Sequence, residues 1–500
     1  MSRKHKEKLE KDKAKKKRTE ELPANLERRE TVYDLDDCEK DGLKYIGDAV
    51  SERLRYEGIH LWVERIVRRQ YVRPEDPAAG VFAPPPPLNI NEGSKYGFCI
   101  HAALIAYKFG LHLPTYRHQD LLAQAGLSLS RSTINDLLNQ SGELLLPLFN
   151  QLQAMIYSDS IVLGDDTQVK LLTRGALSKE DLELLGRRDK LRENDKQANG
   201  CISSYAWLYT GLDDFAPYNV FHWSISRAQD MVHSHLCGFK GTLVGDAFGG
   251  NRKIAVKSGN TISFASCNGH ARRKFIEAEK QAPDLACQAI VYFRQLYEIE
   301  QRGKSLTAAE RLELRRIEAE PIWRRFRHWL DGIPPDRRLP KSKLGEAVTY
   351  MNNQWEALKL YLTNGRIPID NLQSERMIRP LTIGRKNWMF LGHPRAASSR
   401  LRMFSIVSSA ARHHLMLDKY LESVLRELAY ATQHSPAELE IGSERLLGCL
   451  PDRWALAHPE FVKAFRREEQ TDRAEQVRYT RARRRQAQRV EAKDTAAPTA

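Results

Sequence analysis

The stretch Ile369–Leu391, IDNLQSERMIRPLTIGRKNWMFL, predicts a short helix followed by a basic, aromatic strand. Asp370 or Asn371 can act as the N-cap, because short polar side chains accept hydrogen bonds from the free N–H groups at the start of a helix. Pro380 lacks a backbone N–H and clashes with the preceding turn, so we expect the helix to end before it, after about two turns. The fold is predicted to form around the acid of that helix, Glu375.

Two interpretations of Glu375 are open from these residues. Arg376 is its neighbour and Arg379 lies one turn further on, and exposed pairs of this kind are common and contribute little to stability. Two other acids, however, lie at the ends of apolar runs: Asp165 in SIVLGDDTQVK and Asp246 in GTLVGDAFGG. The alternative to a surface ion pair is therefore a set of three carboxylates, on two strand ends and a helix, that converge on metal.

The composition indicates a large, basic, multidomain protein. The 500 residues are 41% apolar, and their number suggests about three or four domains. The formal net charge of +15 predicts a polyanionic partner, because neutralising phosphates releases counterions. No apolar run approaches the ~18 residues of a membrane span, and the charged first residues are not followed by the apolar region of a secretory signal. We expect a cytoplasmic protein that binds no membrane.

The seven cysteines are scattered through the chain without a close pair. An odd number at irregular spacing predicts reduced thiols instead of a disulfide framework. Cys267 and His270 have the spacing of half a zinc site, but no second pair is evident, so a structural role is expected for them. Structural zinc is therefore predicted to be unlikely.

Six segments together resemble the transposases of the insertion-sequence-66 family. They follow the order of that family and extend over most of the chain. The segments are LPANLERRETVYDL (Leu22–Leu35), IGDAVSERLRY (Ile46–Tyr56), LSRSTINDLL (Leu129–Leu138), GDDTQVKLL (Gly164–Leu172), CNGHARRKF (Cys267–Phe275) and IDNLQSERMIRPLTIGRKNWMF (Ile369–Phe390). The resemblance implies an α/β, ribonuclease-H-like DDE catalytic core split by an all-helical insertion, with a helical N-terminal region and a helical C-terminal extension.

The resemblance places the family's catalytic, metal-binding acids on Asp165, Asp246 and Glu375. Two divalent ions about 4 Å apart, Mg²⁺ or Mn²⁺, suit such hard oxygen ligands. In the implied mechanism Asp165 bridges the ions and each of the other acids completes one. Water first releases a 3′-hydroxyl at the transposon end, and that hydroxyl then attacks target DNA. Asp166 is the rival for the first position, although on a strand it should point to the opposite face, and Asp370 is a weaker rival for the third.

Basic side chains near these acids are predicted to contact DNA phosphates, which fixes the register of the DNA without reading its sequence. They are Arg272, Arg273, Lys274, Arg376, Arg379, Arg385 and Lys386. The expected partners are the transposon ends, target DNA, accessory proteins of the same element and further copies of the chain on DNA. The expected location is the bacterial cytoplasm, in association with the nucleoid.

Two regions before the core are candidates for further DNA contact. Members of the family carry a zinc-binding module after the position of Leu35, but one thiolate, Cys38, cannot build a four-ligand site, so we predict that the module has been lost. Ser51–Arg73 predicts a strand pair with a basic face, which either contacts the DNA backbone or is simply solvated. His118–Gln140 predicts two helices on either side of Gly126, a layout shared by helix-turn-helix motifs and ordinary helical hairpins.

The catalytic core is predicted from the order of its apolar runs. Ile161–Asp165 and Gln168–Leu172 should form two antiparallel strands across a tight turn. The later elements are strands at Ser203–Gly211 and Tyr218–Ile225, a helix at Ala228–Leu236, and strands at Thr242–Asp246 and Asn260–Ser266. In a ribonuclease-H-like sheet the first and fourth strands lie side by side, which would bring Asp165 and Asp246 together. The charged segment Arg174–Asn199 is predicted to be a surface insertion.

The predicted organisation has eight regions. They are a basic disordered tail (1–30), a degenerate zinc-binding-like basic module (31–90), a helical, helix-turn-helix-like DNA-binding region (91–158), the first segment of the catalytic core (159–275), a helical insertion (276–362), the second segment of the catalytic core (363–392), C-terminal helices (393–462) and a basic disordered tail (463–500). Two other functions stay open. A ribonuclease-H-like nuclease without strand transfer would use the same acids, and an inactive DNA-binding remnant would keep the fold.

Overall fold

The computed structural model describes residues 22, 26–57, 60–91, 93–172 and 200–463. They form two compact units. Of the described residues, the first comprises those up to Leu146 together with Ile383–Met389 and Leu421–Leu439, and the second comprises those within Pro147–Thr382, Phe390–Tyr420 and from Glu440 to Lys463. The charged segment Arg174–Asn199, most of the predicted N-terminal tail and the C-terminal tail beyond Lys463 lie outside the described residues. Within the described residues, no helix is long and apolar enough to cross a membrane.

The first unit begins with a three-stranded sheet of β1 (Glu27–Tyr33), β2 (Lys44–Glu57) and β3 (His60–Val72). β3 is the central strand, antiparallel to β2 and parallel to β1. The strand pair predicted from Ser51–Arg73 is thus confirmed. β1 was not predicted from the sequence.

Cross-strand pairs explain why the polar sequence of β1 forms a strand. Arg65 of β3 contacts Glu30 at 2.8 Å, and Arg28 contacts Glu52 of β2 at 3.4 Å. β1 has no apolar alternation that a sequence pattern could detect. The ion pairs that hold it in the sheet join residues that are distant in sequence, so they leave no local signal.

Three helices follow this sheet in the first unit. They are α1 (Phe98–Ile105), which continues into a π-helical turn at Ala106–Gly110, α2 (Thr115–Gln124) and α3 (Arg131–Leu144). Gly126, at φ +87°, lies between α2 and α3 as predicted. The hydroxyl of Ser130 caps α3 by accepting a hydrogen bond from the N–H of Thr133 at 3.0 Å. The two helices have the predicted layout, and base reading by α3 stays a prediction.

The second unit contains a mixed sheet behind α4 (Leu146–Tyr157). Its first strands are β4 (Ile161–Leu172), β5 (Cys201–Gly211) and β6 (Asn219–Ser224). After α5 (Gln229–His235) comes β7 (Gly241–Gly245), and after the short helices α6 (Gly249–Arg252) and α7 (Ile254–Lys257) comes β8 (Ile262–Ser266). A sixth, short strand follows later in the chain. The order in the sheet is β6-β5-β4-β7-β8. β4 and β7 are parallel, so the predicted adjacency of the first and fourth strands is confirmed.

β4 is one continuous strand, so the predicted turn between Ile161–Asp165 and Gln168–Leu172 is wrong. The antiparallel partner of β4 is β5, whose pairing runs from Val162 opposite Gly211 to Leu172 opposite Cys201. This ladder satisfies the backbone hydrogen bonds of the polar middle of β4 and keeps it extended, because unpaired N–H and C=O groups inside a fold are costly.

The chain between β8 and the helix that carries Glu375 is helical, as predicted for 276–362. Its helices are α8 (Asn268–Ala278), α9 (Pro283–Arg302), α10 (Ala308–Leu314), α11 (Glu320–Asp331) and α12 (Lys343–Lys359). Their apolar side chains share one buried cluster with Ile161 and Leu163 of β4 and Val244 of β7. These helices therefore share one hydrophobic core with the apolar residues that precede the two aspartates.

Helix α13 (Leu372–Trp388) corrects the expected two-turn helix, because it continues through Pro380. A proline inside a helix removes one hydrogen bond and costs roughly 3 kcal/mol. Beyond the proline, Leu381 is fully buried and Trp388 is 6% exposed, so burial of apolar surface offsets the cost. The strand that follows, β9 (Phe390–Gly392), is short and pairs with the far end of β4.

The C-terminal helices are α14 (Pro394–Arg412), α15 (Leu417–His434), α16 (Glu444–Gly448) and α17 (Pro451–Ala457). α14 covers the edge strand β6. Ser405 and Ser409 of α14 accept hydrogen bonds from the backbone N–H groups of Phe221 and Asn219, at 2.8 and 2.9 Å. The hydroxyls thereby pair an edge that would otherwise leave its donors unsatisfied.

Candidate active site

Asp165 and Asp246 lie at corresponding positions of neighbouring parallel strands. The ladder between β4 and β7 ends with Leu163 opposite Val244, and each aspartate lies two positions beyond the last residue that its strand contributes to this ladder. The parallel register therefore brings the two acids to the same edge of the sheet, as the sequence analysis predicted.

Three hydrogen bonds link the backbone segments that lie next to Asp165, Asp246 and Glu375. The side-chain amide of Asn371 donates to the carbonyl of Gly164 at 2.9 Å, and the N–H of Cys267 donates to the carbonyl of Gly245 at 2.9 Å. The N–H of Asn371 in turn donates to Sγ of Cys267 at 3.2 Å. Because the carbonyl of Asn371 accepts the N–H of Glu375, this network positions the first turn of α13 against both strands.

The carboxyl group of Asp165 lies within electrostatic range of the other acids. Burial raises its pKa to about 7, and the charges of Asp166, Asp246 and Glu375 raise the pKa in the same direction. The N–H of Asp166 donates to its Oδ1 at 2.8 Å, which lowers the pKa in part. A carboxyl group with these neighbours favours either a proton or a cation.

The two oxygens of Asp246 have different partners. Oδ1 accepts hydrogen bonds from the side-chain amide of Asn251 at 2.9 Å and from the N–H of Phe248 at 3.2 Å. Oδ2 lies 3.4 Å from the guanidinium of Arg227. The carboxylate is therefore oriented through one oxygen, and the second oxygen faces a positive charge.

Glu375 pairs with residues of α8 and not with its own helix. His270 Nε2 lies 3.7 Å from Oε1 and Arg273 Nη2 lies 3.9 Å from Oε2. No ion pair within 4 Å joins it to Arg379 among the contacts of the described residues. The interpretation of Glu375 as half of a surface pair on α13 is therefore wrong, because the helix turns this carboxylate toward α8.

The two rival acids have other partners. Asp166 accepts two hydrogen bonds from Arg227 at its Oδ1, and the charge of Asp246 contributes to its raised pKa. Burial is the largest cause of that increase. Asp370 accepts a hydrogen bond from the hydroxyl of Tyr297 at 2.8 Å and one from the N–H of Leu372 at 3.1 Å, at the start of α13. These contacts give Asp370 a structural role.

The predicted DNA-contacting residues are divided between the two units. Arg272 and Arg273 are exposed on α8 and Lys274 is half-buried there. Arg376 and Arg379 are exposed on the stretch of α13 that belongs to the second unit. The remaining pair, Arg385 and Lys386, belongs to the first unit.

Sequence reasoning missed two residues of this site. Asn371 entered the prediction only as an alternative N-cap, although its side chain is fully buried and donates across the chain to Gly164. Arg227 lies just before α5 in a segment with no motif, so no local signal could have indicated it. Cys267 is buried, and burial raises the pKa of its thiol to about 11, consistent with the structural role expected for it.

The donor set is suited to a hard cation, although the side chains are not gathered around one point. Within the described residues, no group of three or more His, Cys, Asp and Glu side chains is arranged to hold a metal ion. Asp165, Asp246 and Glu375 nevertheless offer the carboxylate oxygens that Mg²⁺ and Mn²⁺ prefer. Burial is the largest cause of the raised pKa of Asp165, and the charges of Asp246 and Glu375 contribute to it.

Comparison with known proteins identifies the class of protein. The family model described as "Transposase IS66 family" matches residues 93–183 and 190–399, and the chain belongs to this family. Two proteins of Sinorhizobium fredii are similar to the chain. "Uncharacterized protein y4hP" is 27% identical over 415 residues, covering 78% of this chain and 70% of its own length, and "Uncharacterized protein y4jD" is 26% identical over 417 residues, covering 81% and 78%. Family membership implies a role in transposition, with DNA as the partner.

Proposed function

We propose that the protein cleaves DNA at the ends of an insertion sequence and transfers the released strand to target DNA, using Asp165, Asp246 and Glu375. The observation that carries the proposal is the hydrogen-bond network through Asn371 and Cys267, which joins the backbone beside all three acids. The network would hold the three acids in fixed relative positions, which catalysis requires to within a fraction of an ångström.

The sheet supports a ribonuclease-H-like core. Its order, with β4 between an antiparallel partner and the parallel β7, matches the arrangement expected for that fold. The helices α8 to α12 then form the insertion that separates β8 from the helix of Glu375. β9 adds to the same side of β4 as β7 and returns the chain to the sheet.

Asp165, Asp246 and Glu375 would hold Mg²⁺ or Mn²⁺. When bound, such ions activate an oxygen nucleophile and stabilise the leaving alkoxide. The chain's own contribution is orientation. The β5 ladder fixes Asp165, Asn251 turns Oδ2 of Asp246 outward, and the contacts of Glu375, both longer than 3.5 Å, leave its carboxylate able to move toward the aspartates.

Basic residues around the acids would position the DNA. Arg272 and Arg376 are exposed, and no ion pair of either is found among the contacts of the described residues. Guanidinium groups in such positions bind phosphate by charge-assisted hydrogen bonds without reading bases. Lys274 and Arg379, in the same unit, would add to this surface, and Arg385 and Lys386 would contact DNA from the first unit. Further copies of the chain and accessory proteins of the element would assemble on the paired ends in the bacterial cytoplasm, at the nucleoid.

The test is cleavage and joining of the element's end DNA in Mg²⁺. Asp246→Asn keeps the shape of the side chain and removes its charge, and we expect it to lower both activities by at least about 100-fold. Asp331→Asn is the matched control, because Asp331 is an exposed acid on α11 paired with Arg327. Equal activity of Asp246→Asn and the wild type would exclude Asp246 from the mechanism. If the wild type cleaves the DNA without joining it, the protein is a nuclease. If the wild type shows neither activity, it is an inactive DNA-binding remnant.

A further inference from the structure

Arg227 lies between two acids of the candidate active site. Its Nε and Nη2 atoms lie 3.0 and 2.7 Å from Oδ1 of Asp166, whereas Nη2 lies 3.4 Å from Oδ2 of Asp246. The guanidinium carbon also lies 4.4 Å from the centroid of the Phe248 ring, a cation–π distance. Arg227 therefore has one close partner, one distant partner and an apolar support.

The distant partner is the oxygen that a metal would need. Oδ1 of Asp246 is occupied by the amide of Asn251 and the N–H of Phe248. Oδ2 has Arg227 as its contact among the described residues. Arg227 thus bridges Asp166 and Asp246. The side chain of Asp246 is 28% exposed and that of Asp166 is 8% exposed, so the Asp246 end of this bridge is the one open to solvent and ions.

We propose that Arg227 is a positioning residue that occupies the place of a cation beside Oδ2 of Asp246 and yields it to a divalent ion, while it remains on Asp166. The inference rests on the proposed function, because it assumes that Asp246 binds metal. A guanidinium and a divalent ion repel each other, so both cannot stay against the same carboxylate oxygen without cost. The single 3.4 Å contact breaks more easily than the paired contacts to the buried acid.

The same bridge explains how two adjacent aspartates acquire different roles. Asp166 accepts hydrogen bonds from Nε and Nη2 of Arg227, whereas the charges of Asp166, Asp246 and Glu375 all act on Asp165. Arg227 thereby prevents Asp166 from acting as a competing ligand. Loss of Arg227 should both remove a competing positive charge and release a fourth carboxylate.

The experiment is a titration of the full-length, DNA-free protein with Mn²⁺, in which free Mn²⁺ is followed by electron paramagnetic resonance. We expect Arg227→Gln to bind Mn²⁺ about tenfold more tightly than the wild type, a typical size for coupling between two sites. In cleavage assays the same variant should reach half-maximal rate at lower Mn²⁺ but with a lower maximal rate. Arg227→Lys, which retains the charge, should bind Mn²⁺ within about threefold of the wild type.

A second variant keeps the inference testable if Arg227→Gln does not fold. Asp166→Asn leaves Arg227 with Asp246 as its partner, so Mn²⁺ binding should weaken by at least about threefold. That penalty should shrink in the double variant with Arg227→Gln. An unchanged penalty would mean that the charge of Asp166, and not the bridge, explains it, and would overturn the inference.

Asp246→Asn separates failure of this inference from failure of the proposed function. If the wild type and Asp246→Asn bind Mn²⁺ equally, Asp246 is not a metal ligand and both proposals fall. If Asp246→Asn loses binding while Arg227→Gln binds as the wild type does or more weakly, the metal site stands and the role of Arg227 is overturned.

Discussion

Asn371 donates its side-chain amide to the carbonyl of Gly164 at 2.9 Å, which joins the helix of Glu375 to the strand of Asp165. The amide is fully buried, so its removal leaves the carbonyl of Gly164 without this partner. We expect Asn371→Ala to lower the free energy of unfolding by about 1–3 kcal/mol. We expect strand cleavage to fall by about 100-fold, because the acids lose their relative positions.

Gln373→Ala is the matched control for Asn371→Ala. Gln373 lies two residues further along α13 and donates to the carbonyl of Gly211, at 3.2 Å, so it joins the same helix turn to β5. Its loss should cost similar or less stability but should leave cleavage within a few fold of the wild type. The Tm and the cleavage rate are measured for both variants. If both lose cleavage equally, activity depends on the packing of α13 as a whole, and the contact with Gly164 has no special role.

The position of β7 beside β4 depends on Gly241, which gives the second prediction. Gly241 has a φ of +145°, and a Cβ there would overlap the backbone carbonyl of Ser160, which accepts the N–H of Thr242. Gly241→Ala should therefore destabilise the second unit by more than about 2 kcal/mol, through both backbone strain and displacement of β7. Because Asp246 follows β7, cleavage should fall as well.

Gly238→Ala provides the comparison for Gly241→Ala. Gly238 also has a positive φ, +86°, but no atom lies within 4 Å of the position of its Cβ. Its replacement should cost only the conformational penalty of about 1 kcal/mol and should leave cleavage intact. Equal Tm losses for the two variants would show that φ alone determines the cost and that β7 does not shift.

The sequence was sufficient to predict that Asp165 and Asp246 lie at the same edge of the sheet, because this follows from the order of apolar runs and from the resemblance together. It was not sufficient to predict the course of α13. Pro380 is a strong local signal for a helix end, but burial of Leu381 overrides it, and burial depends on residues far away in the chain. The continuity of β4 was missed for the same reason, since Asp165 and Asp166 resemble a turn until β5 pairs with them.

Contacts of the site were less predictable than its acids. Glu375 pairs with His270 and Arg273, which are distant from it in the chain, and neither Arg376 nor Arg379 competes with them. Spacing on one helix predicts only neighbours on that helix. Arg227 and Asn371 act through single contacts between distant segments, which leave no periodic pattern in the sequence.

Repulsion among the acids gives a third prediction: a substitution that removes one of their charges should stabilise the metal-free protein and abolish its activity. Burial and the neighbouring carboxylates raise the pKa of Asp165, so its ionised form is unfavourable in the metal-free protein. We expect Asp165→Asn to raise the Tm without metal by roughly 3 °C and to abolish cleavage. Asn can still accept the hydrogen bond from the N–H of Asp166.

Added Mg²⁺ should reverse the order of the two Tm values, so that the wild type melts above Asp165→Asn. Saturating metal stabilises only a fold that binds it, so the wild type should gain Tm and Asp165→Asn should not. Differential scanning calorimetry with and without Mg²⁺ measures both effects. A metal-free Asp165→Asn that melts below the wild type would contradict the prediction that the acids repel one another.

A buried histidine of the first unit gives the last prediction, which concerns pH. His101 is fully buried, its Nδ1 lies 3.2 Å from the carbonyl of Leu137 and 2.8 Å from the hydroxyl of Ser141, and its Nε2 has no partner within the described residues. Burial lowers its pKa from 6.5 to about 4. Below pH 6.5, His101 binds a proton in the unfolded chain but stays neutral in the folded chain. Stability is therefore retained above that pH and lost as the pH falls toward 4.

The loss attributable to His101 should be about 2 kcal/mol between roughly pH 7.5 and pH 5. His101→Asn has no group that titrates there, and its amide can still donate to Leu137. We expect its urea midpoint, followed by circular dichroism, to change less between these pH values than that of the wild type, whatever the cost of the substitution at the higher pH. An equal change in both proteins would show that His101 is not a source of the acid sensitivity, and that the wild-type slope arises from other groups.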